Sequence, residues 1–109
     1  MDLPEQAESA VARQLRSIAQ LWDQGRLSQA ALNELALEVL HYLQDQREQF
    51  QAWADEGAPA RETDLVLVGL DMMEEAALAL GMHSWEELRG VVEGGEEYFQ
   101  RARAMLREF

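Results

Sequence analysis

The side chains that come closest to a metal-binding pattern lie in the middle of the chain. His41, one of two histidines, follows Glu38 by three positions, and Glu34 lies one helical turn further back. A Glu-x-x-His pair on an inward helix face is half of the arrangement that binds two iron or manganese ions in helical bundles. Because the sequence has one copy, the other half has to come from Glu74 or Glu75 and from a second subunit. Glu34, Glu38 and His41 are therefore metal candidates, and an exposed i,i+3 pair is the alternative explanation.

Nucleophilic catalysis has less support in the sequence. The chain has no cysteine. His83 is next to Ser84, but neighbours in sequence are seldom placed for proton transfer, and no third orienting group is evident. Glu87 follows Ser84 by three residues, which is the spacing of a helix capping box. We therefore predict no catalytic residue and no cofactor, and we expect a protein that is not an enzyme.

The charge of the chain limits the partners it can bind. Its 109 residues include 21 Asp and Glu residues against nine Arg and no Lys, a formal net charge of −12. Nucleic-acid binding needs basic side chains that displace the counterions of the phosphates, so direct contact with DNA or RNA is not expected. An acidic surface attracts a basic protein, although solubility alone also favours such a surface.

The distribution of apolar residues argues against a membrane protein. No run approaches the roughly 20 apolar residues that are needed to cross a bilayer. The first residues show neither the basic start nor the apolar stretch of a secretory signal. We therefore expect a single domain in the cytoplasm.

Apolar residues recur at helical spacing, and capping residues and glycines divide the chain into four helices. We expect helix starts at Asp2, at Ser28, at either Pro59 or Thr63, and at Ser84, and helix ends at Gly25, Gly57 and Gly81. A wholly polar stretch, 44–49, interrupts the apolar stripe of the second helix, so this turn is expected to extend beyond the core or to meet solvent on all sides. The sequence thus predicts an all-α fold, an antiparallel four-helix bundle built from two αα-hairpins at about 3–56 and 63–109.

The two hairpin turns resemble each other. The pattern of Gly25, Ser28 and Leu32 recurs 56 positions later. Two hairpins related by an approximate two-fold axis would explain this match, but shared capping chemistry would also produce it. Gly94 and Gly95 leave open whether the fourth helix is continuous, since each glycine costs about 1 kcal/mol in a helix interior.

Methionine and aromatic side chains are candidates for binding a partner. Flexible methionine-rich surfaces are often used to bind helices, although methionine fills core gaps more frequently. Aromatic residues near helix ends are common at interfaces. The candidates are Met72, Met73, Met82, Trp85, Met105 and Phe109. Apolar residues also exceed what a monomeric bundle of this length needs, which favours a homodimer or a hetero-complex.

The leading hypothesis is a non-enzymatic adaptor or chaperone-like protein that binds another protein, basic or helical, through an apolar groove with an acidic rim. One alternative is an inhibitor or immunity-type protein that masks a basic nucleic-acid-binding target by presenting carboxylates where phosphates lie. The other is a ferritin-like metal-binding bundle, which requires Glu34, Glu38 and His41 to project into the core.

Overall fold

The structure, a computed structural model, describes residues 9–107 and contains four α-helices: α1 (Ala10–Asp23), α2 (Gln29–Asp55), α3 (Ala60–Leu78) and α4 (Trp85–Arg107). Within these residues the only β-type pairing is an isolated bridge between Leu80 and His83 in the turn before α4. The predicted all-α class is confirmed.

Glycines form the three turns, as expected. Gly25, Gly57 and Gly81 have φ angles of 70°, 98° and 85°. These values lie in the left-handed region, which glycine adopts without a steric cost. Ser28 caps α2, because its hydroxyl accepts a hydrogen bond from the backbone N–H of Ala31 at 3.1 Å.

The structure corrects the predicted start of α1 and decides the start of α3, for which Pro59 and Thr63 are both candidates. Helix α1 begins after Ser9, whose hydroxyl accepts a hydrogen bond from the N–H of Ala12 at 3.2 Å. The expected start at Asp2 is therefore wrong for α1, and Asp2 itself lies outside the described residues. Helix α3 starts after Pro59, and Thr63 is buried in its first turn with its hydroxyl donating to the Pro59 carbonyl at 2.9 Å.

The four helices form an antiparallel bundle around one core. Helix α1 packs against each of the other three helices, and α3 packs against α2 and most extensively against α4. The backbones of α2 and α4, within the described residues, do not approach each other. Ser9 and Asp23, at the two ends of α1, bond to Glu96 and Trp85 of α4, so α1 and α4 run in opposite directions. Helices α2 and α4 thus occupy opposite corners.

The core is made mainly of aliphatic side chains. Its largest fully buried members are Leu15, Leu32, Leu43, Met73, Val39, Val92 and Thr63. No 18-residue stretch of the helices within residues 9–107 combines the hydropathy and the low charge of a membrane span.

Glycines also set the distance between α3 and α4. A Cβ atom added to Gly69 would lie 3.0 Å from the carbonyl oxygen of Gly95, and one added to Gly95 would lie 3.1 Å from the carbonyl oxygen of Gly69. The backbones of the two helices therefore approach each other directly at this pair. Helix α4 is continuous through Gly94 and Gly95, so these glycines allow close packing and do not end the helix.

Candidate partner-binding groove

Within residues 9–107 the helices differ in length, and α2, α3 and α4 extend beyond α1 at one end of the bundle. At 1.5 Å per residue, the 14 residues of α1 span about 21 Å and the 27 residues of α2 span about 40 Å. Because the two helices are antiparallel and joined by a short turn, the described start of α1 lies beside the middle of α2. The second half of α2 and the second half of α4 continue past this point, and their backbones stay apart.

A groove of about 290 Å³ lies in this open end. Its floor comes from α3, one wall from α2 and the other from α4, while the first residues of α1 close one end. The residues that line it are Ser9, Val11, Tyr42, Gln46, Phe50, Val66, Leu70, Glu96, Phe99, Gln100, Ala102 and Arg103. We call this feature the α1-end groove.

Helical periodicity shapes the walls of the α1-end groove. Tyr42, Gln46 and Phe50 follow one another at intervals of four along α2. They form a single face about 12 Å long, which is a little more than two helical turns. Helix α4 contributes side chains at a similar spacing of three or four residues: Glu96, Phe99, Gln100 and Arg103. The groove therefore runs along the helices.

Aromatic rings provide much of the apolar surface of the groove. Tyr42 is 46% exposed, and Phe50 and Phe99 are half-buried. The ring of Phe50 packs edge-on against Trp53, with centroids 6.0 Å apart and an interplanar angle of 70°. Trp53 is 37% exposed, so apolar surface continues from the groove toward the end of α2.

A buried carboxylate marks the closed end of the groove. Glu96 is only 9% exposed, and its oxygens accept hydrogen bonds from the backbone N–H of Ser9 at 3.2 and 3.3 Å and from the Ser9 hydroxyl. A carboxylate near a helix N-terminus also complements the positive end of the helix dipole. This contact fixes where α1 stops against α4, and hence where the groove begins.

The outer side of the α2 wall is braced by ion pairs. Arg47 donates hydrogen bonds to Asp71 and, at 3.2 Å, to Glu74, both on α3. Partial burial acts to lower the pKa of Arg47, but the hydrogen bonds and charges of the two carboxylates outweigh it and raise the pKa overall. Arg47 thus stays charged and joins α2 to α3 beside the groove.

The expected partner-binding methionines are spread over different environments. Met73 is 0% exposed in the core, so its selection as a surface contact is wrong for this fold. Met72 is half-buried, and its methyl group fills the space above Gly94. Met105 is half-buried on α4 and does not line the α1-end groove.

The remaining partner-binding candidates do not line the groove either. Met82 is 75% exposed, and Trp85 is half-buried with its backbone N–H donating to Asp23 at 2.9 Å. Both lie at the α3–α4 turn, which is the opposite end of the bundle. Phe109 lies outside the described residues. Their role in binding a partner stays a prediction.

The metal candidates face solvent. Glu34, Glu38 and His41 are all exposed on α2, whereas the ferritin-like arrangement needs them inside the bundle. Across residues 9–107, no group of three or more His, Asp or Glu side chains is placed to hold a metal ion.

His83 and Ser84 belong to a helix start. The Ser84 hydroxyl caps α4, and Glu87 accepts a hydrogen bond from the Ser84 N–H at 3.2 Å, which completes the predicted capping box. His83 lies with its Nδ1 3.0 Å from Glu87 Oε2. The hydrogen bond with His83, followed by those from Ser84, lowers the pKa of Glu87. These contacts explain the three residues as a capping cluster.

The residues of the groove were not identified from the sequence. The polar stretch 44–49 could have indicated the groove, because it marks where α2 leaves the core that it shares with α1. Gln46 of this stretch lines the groove, and Arg47 braces its wall. Comparison of the chain with protein-family models, with curated proteins and with solved structures gave no match.

Proposed function

We propose that this chain is a non-enzymatic protein-interaction module that holds a segment of another protein in the α1-end groove. The observation that carries this proposal is the apolar α1-end groove between α2 and α4, floored by Val66 and Leu70, which lies beyond the described start of α1. Burial of apolar surface contributes about 25 cal/mol per Å², so an aromatic-lined channel favours an apolar occupant.

The polar groups of the groove support binding more than catalysis. Ser9 and Glu96 bond to each other and hold the end of α1. Gln46, Gln100 and Arg103 are the other polar side chains along the groove. Nucleophilic catalysis needs a nucleophile within reach of a free base, and the described lining residues do not supply that pair. They can orient a bound segment through hydrogen bonds at the rim.

The proposal is tested by filling the groove. In Gln46→Trp an indole enters the α2 wall, while Gln44→Trp places the same side chain at an exposed position of α2 that does not line the groove. Native mass spectrometry of untagged protein isolated from its own source reports bound protein for the wild type and both variants. Circular dichroism shows whether each variant keeps the helical content of the wild type.

The expected result is a co-purifying protein that stays with the wild type and Gln44→Trp but is lost from Gln46→Trp. A protein that remains bound to Gln46→Trp occupies another surface, which contradicts the proposal. A wild-type chain that carries no bound protein in its own source also contradicts it.

A further inference from the structure

We infer that the chain has a second protein-binding surface on the outside of the seam between α2 and α3, and that it binds a protein segment whose apolar side chains are flanked by arginine or lysine. The surface consists of Leu37, Leu40, Leu78 and Met82, and we call it the α2–α3 patch. It is separate from the α1-end groove, so this inference does not rest on the proposed function.

The α2–α3 patch contains the most exposed apolar residues of the described chain. Three large apolar residues are more than half exposed among those whose side chains the structure describes: Met82 at 75%, Leu78 at 61% and Leu37 at 53%. All three belong to the patch. Single exposed apolar residues are ordinary on a protein surface, whereas a contiguous group of them marks an interaction site.

The packing of α2 on α3 brings the leucines of the patch together. Arg47 of α2 bonds to Asp71 and Glu74 of α3, so these three residues meet across the outer seam. Leu40 precedes Arg47 by seven residues, and Leu78 follows Asp71 by seven. Residues seven apart lie on one face of a helix. Because α2 and α3 are antiparallel, both leucines lie two turns further along the same seam and in the same direction.

Leu37 and Met82 extend this pair toward the end of the bundle. Leu37 lies one turn before Leu40 on α2. Met82 follows Gly81, and a Cβ atom added to Gly81 would lie 2.5 Å from Leu32 Cδ2, so α2 and the α3–α4 turn are in contact at this end. Leu40 is half-buried against the core. The patch is therefore an outward continuation of the core on two packed helices.

The parts of the chain outside residues 9–107 join it away from the patch. The hydrogen bond from the Trp85 N–H to Asp23 places the end of α1 and the start of α4 at the same end of the bundle as Met82. At 1.5 Å per residue, Ser9 lies about 21 Å and Arg107 about 33 Å along the helices from that end. The patch and both points of attachment are thus well separated.

The segments that form the patch contain neither lysine nor arginine. The whole chain lacks lysine, and the stretches 27–46 and 62–88 have no arginine. The same two stretches contain three and seven Asp and Glu residues. Arg47, just beyond the first stretch, is paired with Asp71 and Glu74. The apolar centre of the patch is therefore surrounded by an excess of carboxylates.

Two of these carboxylates have equivalent places beside the exposed leucines. Glu34 precedes Leu37 by three residues, and Glu75 precedes Leu78 by three. Both are exposed, and neither forms an ion pair with another residue in the described part of the chain. An arginine or lysine next to an apolar anchor of the partner would meet one of them. Such charge complementarity gives specificity and speeds association.

The same charge selects against other occupants of the patch. A second copy of the chain would bring its own Glu34 and Glu75, and a second net charge of −12, toward the first. Nucleic acid and anionic lipid surfaces are repelled for the same reason. A basic protein segment is the occupant whose charge is opposite to that of the rim and whose apolar residues fit the centre.

Three synthetic peptides serve as probes. The first is a helix of about 14 residues, or four turns, with leucines on one face and arginines on both flanks. The second has glutamate in place of every arginine, and the third has serine in place of every leucine. Each peptide is titrated into the isotope-labelled full chain. The backbone amide signals in NMR spectra then report the affinity, the position of binding and the fold of every variant.

Four variants of the chain separate the apolar centre from the rim. Leu78→Gln removes an apolar side chain of the patch, and Val68→Gln makes a similar change at an exposed position of α3 ten residues away. Glu75→Gln removes a carboxylate of the rim, and Glu48→Gln removes an exposed carboxylate of α2 outside the patch. All four positions are exposed, so the fold is expected to be kept.

We expect the arginine peptide to shift the amide signals around Leu37 and Leu78, and the other two peptides to bind at least about tenfold more weakly. Leu78→Gln should weaken binding at least about fivefold, and Val68→Gln should leave it unchanged. Glu75→Gln should weaken binding more than Glu48→Gln does, by a difference that shrinks as salt is added. The groove variant Gln46→Trp should bind like the wild type.

Other outcomes overturn the inference. Equal binding of the glutamate peptide rejects a basic partner, and equal binding of the serine peptide rejects the apolar centre. Shifts confined to the α1-end groove, or no binding, reject the patch as the binding site, and the native mass spectra of Gln46→Trp then decide the proposed function by themselves. A wild-type dimer that becomes a monomer in Leu78→Gln, as measured by sedimentation, assigns the patch to a second copy.

Discussion

The close approach of α3 and α4 predicts that replacing Gly69 by alanine destabilises the protein. In Gly69→Ala the added Cβ would lie 2.5 Å from Cε1 and 2.8 Å from Cδ1 of Phe99, and 3.0 Å from the backbone oxygen of Gly95. The ring of Phe99 can turn toward the groove, but the carbonyl oxygen belongs to the α4 backbone. The two helices therefore have to move apart, and this disturbs the most extensive helix contact in the bundle.

Gly90→Ala is the matched control. Gly90 is exposed in α4, and a Cβ atom added there meets nothing within 4 Å. Alanine is better than glycine in a helix by about 0.5–1 kcal/mol, so this variant is expected to be more stable than the wild type. Gly94→Ala should fall between the two, because its Cβ meets the methyl end of Met72 at 2.5 Å and that flexible side chain can rotate away.

The size of the destabilisation is obtained by comparing the free energies of unfolding of the two variants. The gain in helix propensity is common to Gly69→Ala and Gly90→Ala and cancels when the two are compared. What remains is the cost of overpacking, about 1–3 kcal/mol. We therefore expect the free energy of unfolding of Gly69→Ala to lie about 1–3 kcal/mol below that of Gly90→Ala. Gly95→Ala should behave in the same way, because its Cβ would lie 3.0 Å from Met73 Cε and 3.1 Å from the Gly69 oxygen.

Urea unfolding followed by circular dichroism measures these differences. The midpoint should shift while the denaturant slope stays constant, since a change in slope signals a change in the surface exposed on unfolding. A Gly69→Ala protein as stable as Gly90→Ala would refute the close backbone contact between α3 and α4.

Three further predictions concern stability and titration. Ser9→Ala should lower the free energy of unfolding by about 1–3 kcal/mol, because α1 loses its cap and the buried Glu96 carboxylate loses its hydroxyl donor while it keeps the backbone N–H of residue 9; a double-mutant cycle with Glu96→Gln should show a coupling energy, and additive effects would contradict the contact. His83→Ala should raise the pKa of Glu87 toward its ordinary value of 4.5, as measured by NMR titration of the carboxyl group. Because that pKa is lowered in the folded protein, the stabilisation from Glu87 is present above its ordinary value and is lost as the pH falls through the lowered pKa; an unchanged pKa in His83→Ala would rule out the pairing. Met73→Ala should cost about 2–5 kcal/mol in urea unfolding because its side chain is fully buried, and a loss below the range would place this methionine nearer the surface.

Local chemistry explains which structural features were predictable. Ser28 caps its helix through a hydrogen bond three residues away, and Ser84 forms its capping box with Glu87. The turn at Gly25 likewise depends on its own backbone angles. Such contacts lie within one turn of the chain, so the residues that make them are visible in the sequence.

The cap of α1 is as local as that of α2, because Ser9 accepts from the N–H of Ala12 three residues on. Ser9 also donates its N–H and hydroxyl to Glu96, which is 87 positions away in the sequence. This second contact distinguishes Ser9 from Asp2 as a helix start, and no local pattern shows it. The same holds for Met73, which looks like Met82 in the sequence but lies in the core beside Gly95. The exposure of a methionine depends on the helix that packs opposite it.

The sequence by itself determined the number of helices, the glycine turns, the acidic surface and the all-α class, because helical periodicity, capping and charge are properties of neighbouring residues. The tertiary structure alone decided where the groove lies. Within the described residues, α1 is shorter than α2 and begins after Ser9, so that Tyr42 and Phe50 line the groove instead of packing against α1. Relative helix lengths and offsets are set by long-range packing, and this is why a binding surface made by four helices could not be read from any one of them.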